Sequence, residues 1–212
     1  MTIKTTNYLE QNKTLPQKGQ VVLGYQTVDQ MVVYQAYNSQ IAAYAVANQK
    51  LGGNHFSYSR MSWIKPNFLW MMYRCGWAAK EQQEQVLALW IKKTDFEIIL
   101  SNAVYSAYQE NIYHSYENWK HLLEQKEVRL QWDPDHDPFG NKQERRAIQL
   151  GLKGALLSTF GNEMIQKVEN ITGFVKTQKQ ILDSGSIEHL VVPVETVFTT
   201  SEQLLNQRLG IT

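Results

Sequence analysis

Between Arg60 and Trp77 the chain reads RMSWIKPNFLWMMYRCGW. Three cations, Arg60, Lys65 and Arg74, sit among Trp63, Phe68, Trp70, Tyr73 and Trp77. So apolar a run belongs in an interior, yet Arg and Lys are almost never fully buried without a partner. The chain must therefore fold so that these cations meet internal carboxylates, reach water with their heads, or face an anionic ligand. The segment marks where a site is expected; by itself it names no reaction.

The rest of the chain can supply the core this segment needs. Of 212 residues, 43% are hydrophobic, enough for one large domain or two small ones. The formal net charge of +1 argues against a protein that coats nucleic acid, though it allows a local cationic pocket. Cys75 is the single cysteine, so no intrachain disulfide can form, which fits a reducing compartment. Lying next to Gly76, Cys75 reads as a small buried hydrophobe and not as a nucleophile. The start of the chain, MTIKTTNYLEQNK, lacks the apolar run of a signal peptide, and no stretch approaches the roughly 20 apolar residues that span a bilayer. A soluble cytoplasmic protein without a membrane partner is expected.

Pattern along the chain predicts interspersed strands and helices. Residues 1–20 read as a loosely held polar leader, and 21–212 as a single domain without a clear linker. Strands are predicted at Met31–Tyr37, Arg60–Lys65, Val86–Ile91, Val128–Trp132, Ala147–Leu152 and, at an edge because of Pro193, His189–Val194. Helices are predicted from Ser39 to Lys50 behind an Asn38 cap, from Pro66 through Arg74, from Thr94 or Asp95 to Tyr105, and from Ser115 to Gln125. Further helices are expected from Gly154, from a Thr172 cap to Asp183, and after a capping box at Thr199–Glu202. Without a strict βαβ rhythm, the pattern favours an α+β fold around one largely antiparallel sheet, whole or split, flanked by helices.

Strand alternation supplies the site geometry, because side chains two apart share a face. Gln35 and Tyr37 point together, Arg60 shares a face with Ser62, and Trp63 with Lys65. Gln149 lies between Ala147 and Gly151, whose small size leaves space above its amide for a ligand or for a neighbouring helix. Arg145-Arg146 is either a solvated strand end or part of a phosphate pocket with Arg60, Lys65 and Arg74. Asp133, Asp135, Asp137 and Glu144 have the 1, 3, 5, 12 spacing of a calcium loop, but Pro138 stands where that loop needs glycine, so no metal is expected. The five histidines form no HExxH pair, and GxGxxG, GxxxxGK[ST] and GxSxG are absent. Dinucleotide folds of the usual kind, phosphate-loop NTPases and α/β-hydrolases lose weight accordingly.

The segments VVYQAYN, RMSWIKPNFLWMMYRCGWA, VLALWI, VRLQWDPDHD, RAIQLGLKG and VPVE…RLGI resemble domain-of-unknown-function family 4291, found in bacteria and fungi, over Val32 to Ile211. The order of elements also resembles the ADP-ribosyltransferase fold, a split β-sheet that holds NAD in a central cleft. That resemblance implies a polar first-strand residue on the cofactor, Gln35 or Tyr37. It implies Ser62 at the nicotinamide pocket and Gln149 on a later strand. The chain departs from the common pattern: its first strand has no Arg or His, and Ala147–Leu152 has no Glu. The departure points away from protein side chains as acceptors, and the cation-rich site resembles the RNA 2′-phosphotransferase branch instead.

The expectation is an NAD-dependent transferase acting on a nucleotide, an RNA end or a small molecule. Gln149, Arg60 and Lys65 are its expected catalytic residues. Gln35, Tyr37, Ser62, Trp63, Trp70, Tyr73 and Arg74 are expected to bind the cofactor. Trp63, Trp70 or Tyr73 would stack on a base, and Arg60, Lys65 or Arg74 would take the pyrophosphate. The alternatives are a non-catalytic module for nucleotides or single-stranded nucleic acid, and a structural Arg–Trp stacking network.

Overall fold

The computed structural model describes residues 1–212. In chain order the strands are β1 (Thr5–Asn7), β2 (Val22–Tyr25), β3 (Gln30–Tyr37), β4 (Ser62–Ile64), β5 (Gln85–Lys92), β6 (Ala103–Tyr105), β7 (Val128–His136), β8 (Lys142–Leu152), β9 (Ile165–Asn170), β10 (Val191–Pro193) and β11 (Glu195–Phe198). The helices are α1 (Tyr8–Thr14), α2 (Ser39–Asn48), α3 (Phe68–Cys75), α4 (Lys93–Ser101), α5 (Glu110–Tyr113), α6 (Tyr116–Gln125), α7 (Gly154–Thr159), α8 (Thr172–Asp183) and α9 (Gln203–Leu209). A π-turn at Phe160–Met164 leads from α7 into β9. This is an α+β fold in one domain, and every strand pair except the parallel β6–β7 is antiparallel.

Strands β3 and β5 are apolar at nearly every position because both of their faces are covered. Met31 and Val33 of β3, with Leu87, Leu89 and Ile91 of β5, enter the larger apolar cluster. Val32, Tyr34, Val86, Ala88 and Trp90 point the other way, into a second cluster built around α3 and α8. That double burial is what a continuous apolar strand signals. Helix α3 is apolar nearly all round for the same reason: Phe68 to Met72 and Cys75 are buried.

The largely antiparallel sheet expected from the sequence is present in its split form. The strands form a three-stranded sheet β3-β5-β9, a four-stranded sheet β4-β8-β7-β6 and two two-stranded pairs, β1-β10 and β2-β11. The two larger sheets meet at a single bridge, Tyr34 to Lys65, with backbone N–H···O distances of 2.7 and 3.2 Å. On one side of it the chain turns into α3, capped by Asn67, directly after Pro66, so no extended residue follows to continue the pairing. On the other side the side chain of Gln35 enters the gap and donates to Trp63 O at 3.3 Å, where a backbone bond would otherwise form. The sheets therefore fork at this point.

Several predicted boundaries move for local reasons. The loosely held leader is instead part of the fold: β1 pairs with β10, Ile3 and Tyr8 are buried, and the Gln11 amide joins Pro193 O and Glu195 N, each at 2.9 Å. Pro66 precedes α3, and Asn67 caps it by accepting from Trp70 N at 2.6 Å. The helix expected to reach Tyr105 stops at Ser101, since Asn102 folds its amide onto Ile98 O at 2.9 Å and releases the β-forming Ala103–Tyr105 as β6. Thr172 does not cap α8: its hydroxyl accepts from Val86 N at 2.9 Å, tying the helix to β5. Nor does Thr199 open a capping box; Glu202 precedes α9, and Thr200 Oγ1 accepts from Glu202 N at 3.1 Å. β7 runs through Asp133-Pro134-Asp135, so the turn begins only at Asp137. β9 was not foreseen; its polar Gln166, Lys167, Glu169 and Asn170 hide the strand signal on a sheet edge. No helix is long and apolar enough to cross a membrane.

Candidate functional site

The fork opens into a cleft of about 810 Å³. Eight of the residues singled out from the sequence line it: Gln35, Tyr37, Arg60, Ser62, Trp63, Lys65, Arg74 and Gln149. Strand alternation places Gln35 and Tyr37 on one bank. The opposite bank breaks the alternation rule, since Arg60, Ser62, Trp63 and Lys65 all reach the same space. β4 is only three residues long and sits at the edge of its sheet, so side chains from either face can turn into the gap.

On the Tyr37 bank the polar groups form a closed network. Gln35 Nε2 donates to Ser62 Oγ at 2.7 Å, and Tyr37 OH donates to Gln35 Oε1 at 2.9 Å. The Tyr37 and Ser62 hydroxyls lie 3.0 Å apart. Burial pushes the Tyr37 phenol well above its ordinary range, although the bond to Ser62 pulls it back in part. Tyr37 therefore acts as a neutral hydrogen-bonding group at any physiological pH.

Lys65 lies at the apex of the fork. It is only 6% exposed, and its ammonium has a single long contact, 3.4 Å to Trp63 O. No carboxylate pairs with it. Desolvation, with repulsion from Arg74 second, pulls its pKa down to about 8. A buried ammonium without a counter-ion is costly. Arg60 and Arg74 reach the same cleft from exposed positions, and neither forms an ion pair. The cleft is thus a concave surface with three unneutralised cations.

Gln149 closes the far side. Its Nε2 donates to Gln131 Oε1 at 2.8 Å and to Asp133 Oδ2 at 2.7 Å. Its own carbonyl oxygen accepts from nothing in the protein and remains free for a ligand. The space above Gly151 is not open, however. A side chain there would meet the Trp63 indole at 2.9 Å and Met61 Sδ at 2.6 Å, so a neighbouring strand residue occupies it, neither a ligand nor a helix. Gln131 was not singled out from the sequence, and Asp133 was weighed there only as part of the 133–144 acidic spacing. Gln131 pairs in register with Gln149, a relation only the sheet provides.

Trp70 and Tyr73 lie outside the cleft. Trp70 is 4% exposed and stacks with its ring 5.2 Å from that of His136. Tyr73 stacks on His136 at 3.5 Å, with its ring 5.5 Å from that of Trp70, and borders a separate surface hollow. As neighbours on one helix they share α3's outer stripe, while Met71 and Arg74 turn toward the cleft. Arg145 is also elsewhere: it is buried and donates through Nε to Asp135 at 2.5 Å. Asp137 accepts from Phe139 N and Asn141 N, each at 2.9 Å, to shape the turn. The acidic spacing of 133–144 is accordingly divided among a hydrogen bond to Gln149, a buried ion pair and a turn. Cys75 is buried, and burial raises its thiol pKa.

Fold and cleft together define an α+β protein with a divided antiparallel sheet and a cationic pocket at the division. The chain belongs to the family described as Domain of unknown function (DUF4291), whose model matches residues 21–198. No curated protein sequence matches it.

Proposed function

We propose that this protein is an NAD-dependent transferase of the ADP-ribosyltransferase type, acting on a nucleotide, an RNA end or a small molecule. One observation carries the reading: the buried, unpaired Lys65 at the apex of a cleft between two forked sheets. A charge held in that position without a counter-ion fits a ligand that brings one, and the diphosphate of NAD does so. Arg60 and Arg74 add exposed charge that draws an anion in. When bound, NAD supplies a ribose whose bond to nicotinamide breaks, the nicotinamide leaving with the bonding electrons.

The protein's part is to bind and orient. Lys65, Arg60 and Arg74 hold the diphosphate, while Gln35, Tyr37 and Ser62 offer a fixed, uncharged wall for an amide such as nicotinamide. Trp63, half-buried along Gly151, supplies the aromatic surface that Trp70 and Tyr73 do not bring to this cleft. The free carbonyl of Gln149 accepts from a ribose hydroxyl, its N–H being committed to Gln131 and Asp133.

The test is to incubate the protein with NAD, measure nicotinamide release, and record melting temperature with NAD, ATP, ADP-ribose and short RNAs. A ligand at a hundredfold excess over its Kd stabilises by about 2.7 kcal/mol. Release of nicotinamide that disappears in Gln149→Ala is the expected result. Stabilisation by nucleotides without any release would favour the non-catalytic binding module. No stabilisation by any anion would remove both readings.

A further inference from the structure

A second cavity of about 580 Å³ lies at the outer edge of the four-stranded sheet. It exists because β6 is short. β6 covers β7 only as far as Leu130, where Ser106 N closes the pairing at 2.9 Å, and from Gln131 onward β7 has no neighbouring strand on that side. The two cavities are separated by one layer of side chains. Gln131 lines both, and Asp133, on the edge side, accepts from Gln149, on the cleft side, at 2.7 Å.

The two spaces differ in chemistry. The cleft carries three free cations. The edge cavity carries one carboxylate, Asp133, with no ion-pair partner and with Oδ1 unused by the protein. Carboxamides from separate parts of the fold, among them Gln20, Gln109 and Gln131, converge on it. Tyr105 and Trp132 form walls whose polar tips are already committed, each donating to Leu209 O at 2.8 Å, so they present ring surface. Arg146 lies exposed at the rim.

We infer that the edge cavity is the subsite for the second substrate and takes a nucleoside, with its ribose hydroxyls on Asp133 and its base among the carboxamides. This rests on the transferase reading of the cleft. A free carboxylate is a suitable acceptor for sugar hydroxyls, as in ribose recognition by acidic residues of dinucleotide folds. Carboxamides offer both a donor and an acceptor, which matches the edge of a base. Aromatic walls suit its faces. Arg146 leaves room for one phosphate at the rim, which a mononucleotide and an RNA end both carry. The Gln131–Gln149–Asp133 group would then touch both substrates and fix their relative position.

Calorimetric titration with uridine monophosphate, its 2′,3′-dideoxy analogue and a short oligouridine tests the site, with NAD titrated in parallel. A pyrimidine avoids confusion with the adenosine of NAD. The variants are Ala107→Trp, which fills the cavity from an exposed rim position away from the cleft, and the isosteric Asp133→Asn. Uridine monophosphate should bind the wild type and bind at least tenfold more weakly to each variant, and NAD affinity should be unchanged in Ala107→Trp. The dideoxy analogue should be at least tenfold weaker on the wild type. Tighter binding of the oligouridine would identify an RNA end as the source, and equal binding a free nucleotide. Uridine monophosphate binding that survives Ala107→Trp overturns the site, as does NAD binding with no binding of either uridine ligand. Uridine binding as expected without NAD binding would fell the transferase reading and leave the nucleoside site.

Discussion

Lys65 holds a charge that the protein itself does not neutralise, and its behaviour should separate a ligand site from a structural cation. Its folded pKa, about 8, lies below the ordinary lysine value of 10.5. Between those two values the unfolded chain binds the proton and the folded chain does not, so stability due to this group rises with pH across that window. Anion binding must run the other way and weaken as pH rises through about 8, because the ammonium is then lost. Lys65→Met removes both effects. Its melting temperature near neutral pH should equal or exceed that of the wild type, and its affinity for inorganic pyrophosphate should fall by about an order of magnitude or more, the worth of a charge-assisted hydrogen bond. A variant that unfolds easily but binds pyrophosphate normally would show the charge to be structural.

Gln149 combines two roles that a single substitution will expose together. Gln149→Ala leaves Gln131 Oε1 and Asp133 Oδ2 without their shared donor. A loss of about 1 kcal/mol in denaturant unfolding is therefore expected. If the free carbonyl serves the ribose, turnover should fall further, by about one to three orders of magnitude, with the remaining fold intact. Equal turnover in wild type and variant would restrict Gln149 to the structural role.

At the scale of elements, α3 joins the cleft to the core. Trp70 is packed against Tyr73 and His136 on one side of it, and Arg74 reaches the cleft on another. Trp70→Ala should cost about 3–5 kcal/mol by chemical denaturation, as large-to-small changes in cores do. A loss below about 1 kcal/mol would contradict the packing. The helix start is held by a second device, Glu195 on β11, which accepts from Phe68 N at 2.6 Å. Desolvation lifts the Glu195 carboxyl to about 8, above the ordinary glutamate value of 4.5, despite that hydrogen bond. The stability it contributes is complete below 4.5 and is lost as pH rises through about 8. Glu195→Gln keeps an acceptor for Phe68 N and cannot ionise, so its melting temperature should exceed that of the wild type at pH 8.5 and converge with it near pH 5. Parallel pH profiles for the two proteins would show that Glu195 is not buried as described.

The whole molecule is closed by its ends. The first strand pairs with β10, and Gln11 bridges Pro193 and Glu195, so the N-terminal segment braces the strand that caps α3. Deleting residues 2–12 should lower the melting temperature and also weaken ligand binding in the cleft, although no deleted residue lines it. Wild-type stability in the truncated protein would mean that this segment is only appended.

Much of this was legible in the chain itself. The continuous apolar runs of β3, β5 and α3 announce burial on all sides, and the caps at Asn38 and Ser115 fix two helix starts through local hydrogen bonds. The 60–77 segment announces that cations and aromatics share one neighbourhood, since charge in so apolar a context needs a special location. These are local or periodic signals, and their physical causes lie within a few residues. Three things lay beyond them. That Arg145 meets Asp135 while Lys65 meets no carboxylate depends on strand register, which no local signal encodes. That Trp70 faces His136 while Trp63 borders the cleft depends on what packs against each face. That the sheets fork at Tyr34 and Lys65, leaving a cleft, follows from a chain that turns into α3 just past Lys65 and one glutamine side chain standing where a backbone bond would have been. The sequence determines which residues must be buried and which charges must find a reason; the pairing of distant strands decides which of those charges are neutralised and which are left free for a ligand.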